Sequence, residues 1–110
     1  MDKIERRRAR RFPLRREARY TILEPHKRHA PVGAETVDMS SGGICLRCVN
    51  APEPGSRMDV AVSWPASLEN GCKLKLVARA KVMWRSADAI GLMMERHEFR
   101  TQGREFAASA

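Results

Sequence analysis

The most constraining feature of this chain is a period-two alternation that recurs between turn signals. Its longest stretch is Leu74, Leu76, Ala78, Ala80, Val82 and Trp84, interleaved with Lys73, Lys75, Arg79, Lys81 and Arg85. Successive strand side chains point to opposite faces, so this pattern predicts a strand with one buried and one wet face. The same period marks Ala18, Tyr20 and Ile22, then residues 34–39 and 44–49. It returns at Met58, Val60, Val62 and Trp64, and last at Ile90, Leu92 and Met94. Turn formers separate these segments: Pro25 and Pro31, Ser40-Ser41-Gly42-Gly43, Pro52 to Gly55, Pro65 to Gly71, and Asp88-Ala89. Six short strands with no long helix between them predict an antiparallel barrel or sandwich. From about His97 onward a short helix is expected, with Phe99 and Phe106 on one side. Gly103 weakens it by about 1 kcal/mol relative to alanine. The alternating Met and Trp residues read as core.

At 110 residues the chain has the size of one domain. No apolar run approaches the roughly 18 residues of a membrane span. An odd cysteine count, three, argues against a disulfide-stapled secreted scaffold and for a reducing, cytoplasmic compartment.

The net charge of +8 is concentrated at one end. Residues 1–29 carry eleven Lys and Arg against four acids, and residues 30–110 carry ten against nine. Basicity is therefore a property of an N-terminal arm on a nearly neutral body. It predicts an anionic partner: a nucleotide, a nucleic acid, or an acidic protein or lipid surface. No apolar segment follows the charges, so the arm does not read as a secretory signal. Glu5, Glu17 and the absence of Ser within it also disfavour a transit peptide. The chain divides into a basic arm (1–16), which has no apolar period of its own and is expected to be disordered when empty, a β-barrel (17–96) and a tail or short helix (97–110).

Catalytic and metal chemistry find little support. Cys45 and Cys48 have C-x-x-C spacing, and His26 and His29 match it. Residues three apart on a strand face opposite ways, however, so neither a shared metal nor a bridge is expected. Ser40, His97 and Asp38 can be written as a triad, but no nucleophile-elbow pattern surrounds the serine. No enzyme activity and no cofactor are expected.

Two features remain. Glu5-Arg6-Arg7-Arg8-Ala9-Arg10-Arg11-Phe12 is rich in guanidinium forks, which bind phosphate through two parallel bonds and also address the O6 and N7 acceptors of guanine. Asp38-Met39-Ser40-Ser41-Gly42-Gly43 ends one strand and starts the next. A carboxylate there suits the N1–H and N2–H donors of guanine, and glycine admits a flat ligand. Taken alone, the first is also a solvated arm and the second also a hairpin turn.

Together, Arg7 and Arg11 as Arg-x-x-x-Arg, followed by Asp38, Ser40 and Gly43 as Asp-x-Ser-x-x-Gly, resemble a PilZ domain. Residues 80–85 and 90–92 are similar to that family's last two strands. The resemblance implies a six-stranded antiparallel barrel that binds the bacterial second messenger cyclic di-GMP. It implies that Arg7 and Arg11 grip phosphates and guanine edges, that Asp38 and Ser40 read a guanine pairing edge, and that Gly43 leaves room. Arg6, Arg8 and Arg10 are expected helpers. Arg6 and Arg10 share the four-residue spacing, but the apolar Phe12-Pro13-Leu14 follows Arg11. The function expected is a receptor or adaptor that orders its arm around the ligand and signals to a protein partner. Two alternatives stand beside it, both disfavoured: a nonspecific nucleic-acid-binding barrel, and a PilZ-like interaction module that binds no nucleotide, against which both motifs are intact.

Overall fold

The computed structural model describes residues 11–102. All regular structure among them is strand: β1 (Phe12–Pro13), β2 (Glu17–Leu23), β3 (Val32–Met39), β4 (Gly43–Arg47), β5 (Arg57–Ser67), β6 (Lys73–Arg85) and β7 (Ala89–Thr101). Every pairing is antiparallel, in the order β1-β3-β2-β5-β6-β7-β4, and a further β3–β4 pairing closes the sheet. The result is a closed six-stranded barrel with the two-residue β1 added along the end of β3. No helix among the described residues is long and apolar enough to cross a membrane.

The alternation in the sequence becomes the core through register. Ala18, Val62 and Leu76 stand side by side, as do Tyr20, Val60 and Ala78, and Ile22, Met58 and Ala80. On the other side Ile44, Leu92 and Val82 make one row, and Leu46 faces Ile90. Small Ala78 and Ala80 sit in rows with large Tyr20 and Met58, so the layers interdigitate. Ile44, Leu46, Met58, Val62 and Ile90 are fully buried, each stabilising the barrel by about 1.5–3 kcal/mol.

The strand expectations hold in their centres and fail at one end. The helix expected from His97 is not formed: β7 runs on to Thr101. The cause is the length of β6, whose first half needs a partner. Leu74 to Arg79 pair with Thr101 back to Arg96. Arg96, Glu98 and Arg100 are thereby set on the outer face, and Phe99 meets Trp64 edge to face, with ring centroids 4.9 Å apart. Phe106 lies outside the described residues. The core assignment of the alternating Met and Trp residues also fails at Trp84: Met39 and Met58 are buried, but Trp84 is 47% exposed.

Candidate functional site

The site forms where β1 meets the end of β3 and the turn into β4. In an unbroken strand, Asp38 would share the inward face of Ala34 and Thr36. The β3–β4 register shifts between Thr36 and Asp38, placing one extra residue in β3. A bulge of this kind re-aims the residues that follow it. Thr36 and Met39 point into the core, and Asp38 turns outward.

A polar latch holds β1 beside it. Thr36 Oγ1 accepts a hydrogen bond from Arg16 N at 2.7 Å and donates to the Leu14 carbonyl. Leu14 N donates to Val37 O. The Arg16 side chain donates to Ser63 O at 2.8 Å, to Ser63 Oγ at 3.1 Å and to Trp64 O at 3.3 Å. Arg16 therefore fastens the arm's end to β5 rather than serving a ligand. The arm is attached to the barrel from Phe12 onward, not only from Glu17.

This anchoring delivers Arg11 to the turn. Its Nε lies 2.9 Å from Asp38 Oδ1, and its Nη1 donates to Ser40 Oγ at 3.3 Å. The contact with Asp38 is one of charge rather than a directed bond, for Asp38 Oδ1 is buried and accepts no hydrogen bond. Ser40 N donates to Gly43 O, which tightens the turn. A Cβ on Gly43 would stand 3.1 Å from Leu92 O, 3.2 Å from Arg11 Nη1 and 3.5 Å from Ser40 Oγ. Glycine at 43 thus keeps open the space that the arginine fork enters.

Four expected site residues, Arg11, Asp38, Ser40 and Gly43, therefore converge at one place. Arg6, Arg7, Arg8 and Arg10 lie outside the described residues. Beyond these, Cys45 was missed as a site neighbour. It pairs with Asp38 on one side and Gly91 on the other. Burial pushes its thiol pKa up, as does the Asp38 carboxylate, with Arg11 and Arg47 opposing. Next in the row is Trp84, opposite Gly91. Its indole lies against Gly91 so closely that a Cβ there would fall 2.1 Å from Nε1. The sequence signal for this contact was Gly91 itself, a glycine inside a strand pattern, which marks a close approach.

The remaining candidates separate. Cys48 is buried against Tyr20, with which it shares a hydrogen bond, while Cys45 faces the Asp38 site. His29 bonds Glu24 at 2.7 Å, and His26 occupies a turn with positive φ. Among the described residues no group of three or more His, Cys, Asp or Glu could hold a metal ion. His97 lines a cleft of about 420 Å³ with Ser40, Phe12, Trp64 and Phe99, but Ser40 Oγ takes its hydrogen bond from Arg11. A larger depression, about 550 Å³, lies on the outer face of β2, β5, β6 and β7 around Ala61 and Arg79, away from the convergent motif.

Comparison with known families settles the lineage. The family model for the PilZ domain matches residues 5–105. This chain belongs to the PilZ domain family. Its closed barrel with one added strand agrees with a PilZ-type barrel. A search of curated proteins found no match. PilZ domains in general bind cyclic di-GMP and act as binding or adaptor domains rather than enzymes. The matched span takes in both motifs, so Arg7, which precedes the described residues, falls within the PilZ region together with Arg11, Asp38, Ser40 and Gly43.

Proposed function

We propose that this PilZ domain is a non-enzymatic receptor for cyclic di-GMP that couples the ligand to a protein partner through its Arg-rich arm. The observation that carries the reading is the state of Asp38: a buried carboxylate oxygen without a hydrogen bond, beside an arginine and above a glycine that leaves space. Arg11 holds that oxygen by charge at 2.9 Å and not through an aligned hydrogen bond. A ligand that supplies an aligned donor improves on the contact, and guanine presents two donors, N1–H and N2–H, on its pairing edge.

The division of labour follows from chemistry. Arg11 offers its fork to a phosphate or to guanine O6 and N7. Arg7 does the same from four residues upstream. Asp38 and Ser40 take the pairing edge, and Arg6, Arg8 and Arg10 add positive field. Arg11 already touches Asp38 and Ser40, so an arriving nucleotide exchanges those contacts for its own. The segment that begins with Arg11 is redirected, and this is how the arm transmits occupancy to a partner.

Calorimetric titration of the full chain with cyclic di-GMP and with cyclic di-AMP tests the reading. The expected result is saturable binding of the guanine ligand, with the adenine ligand rejected. Equal, strongly salt-dependent binding of both would favour a basic arm that binds nucleic acid nonspecifically. No heat with either ligand would favour an interaction module without nucleotide.

A further inference from the structure

β7 carries an open edge. Its first part, Ala89 to Met93, is held on one side by β4. Beyond Met93, β7 pairs only with β6 among the described strands. Gln102 N donates to Lys73 O at 2.7 Å, so the backbone groups of Gln102 point toward β6. Backbone direction alternates along a strand. Arg100, Glu98 and Arg96 therefore also face β6, while the N–H and C=O groups of His97, Phe99 and Thr101 face away from it. An edge whose groups have no partner among the described residues is a template for another strand.

We propose that this edge pairs with the same edge of a second copy of the chain, antiparallel and centred on Phe99. Charge selects that register. With Phe99 opposite the partner's Phe99, Glu98 faces the partner's Arg100, and by symmetry Arg100 faces the partner's Glu98. His97 and the partner's Thr101 then exchange two backbone bonds, as the two Phe99 residues do. Centring on Glu98 instead sets two carboxylates opposite each other and Arg96 against the partner's Arg100. Centring on His97 keeps a charge match but puts Phe99 opposite the partner's Glu95. Only the Phe99 register satisfies the charges while stacking the two phenyl rings, each of which is half exposed in the single chain. Phe99 already packs on Trp64, so the paired rings extend an existing apolar cluster.

Sedimentation equilibrium of the full chain over a wide concentration range reads the dimer, and amide hydrogen exchange reads its register. Protection of His97, Phe99 and Thr101 is expected to rise with concentration. Glu98 and Arg100 amides, already bonded to β6, are expected to stay unchanged. Glu98→Arg sets like charges opposite each other twice, which should weaken dimerisation by about tenfold. Adding Arg100→Glu to that variant restores opposite pairs and should restore the dimer. Both side chains are exposed, so the variants should fold. A chain that stays monomeric at all concentrations overturns the proposal. So does a dimer that ignores the charge reversal.

Discussion

Asp38→Ala distinguishes recognition of a guanine from attraction of a phosphate, because the two predict opposite signs. Asp38 is an acid in a basic site. If the field of the arm were the whole source of affinity, removing a carboxylate would strengthen binding. The structure adds a second push in that direction, since the substitution frees Arg11 from its contact at 2.9 Å. That pair is partly exposed, 42% at Arg11 and 32% at Asp38, so the gain is at most about 1 kcal/mol. Against it stands loss of the acceptor at Oδ1. Guanine donors left without a partner in a partly desolvated site cost about 1–3 kcal/mol. The balance favours weaker binding by about 1–2 kcal/mol, a fivefold to thirtyfold loss of affinity at roughly 1.4 kcal/mol per decade. Preference for guanine over adenine dinucleotides should fall with it. Paired titrations of wild type and Asp38→Ala against cyclic di-GMP and cyclic di-AMP, each at two salt concentrations, measure this. Tighter binding of both ligands by the variant, fading as salt rises, would refute the assignment of Asp38 as a guanine reader.

Arg11→Ala should abolish measurable cyclic di-GMP binding and leave the fold intact, because Arg11 lies outside the core; circular dichroism and titration check the two halves, and Arg7→Ala should behave alike. Gly43→Ala should cost about 1 kcal/mol in stability and weaken binding, since its methyl presses on the Leu92 carbonyl and on Arg11; denaturant midpoints and titration decide it. Burial holds the thiols of Cys45 and Cys48 and the Tyr20 phenol above their ordinary pKa values. Their folded values exceed the unfolded ones, so their contribution to stability is complete below about pH 9 and is lost as pH rises through the folded values. Unfolding midpoints under reducing conditions should therefore fall as pH rises above about pH 9, and less steeply in Cys48→Ala.

The parts of the fold that depend on side-chain period were legible. The centres of β2 and β6 follow the alternation in their burial, because burial on one face and water on the other act residue by residue, whereas Gly43 to Leu46 and Val60 to Ser63 are buried on both faces. The failures lie where pairing partners, rather than period, decide. Residues 97–101 have no strand signature strong enough to stand alone, and β6 draws them into the sheet. Trp84 belongs to a run of inward residues, but the register shift after Val82 carries it to the outer face. The site was legible as a set of residue types at fixed spacing, and Arg11, Asp38, Ser40 and Gly43 do come together. Its mechanism was not. The bulge that turns Asp38 outward and the latch through Arg16 and Thr36 depend on contacts between distant segments. Arg16 also illustrates how charge alone misleads, since it belongs to the arginine-rich arm by sequence and to the barrel by its bonds.

Nitrogen–proton correlation spectra recorded during a titration show whether cyclic di-GMP binds at the junction of β1, β3 and β4. Stoichiometric cyclic di-GMP should shift the backbone amides of Ser40 to Gly43 and the Nε–H of Arg11 first and furthest, as Arg11 exchanges Asp38 and Ser40 for the ligand. Amides around Ala61 and Arg79, in the larger depression on the outer face, should hardly move. Shifts concentrated on that outer face, with Ser40 to Gly43 and Arg11 unmoved, would rule out binding at the junction.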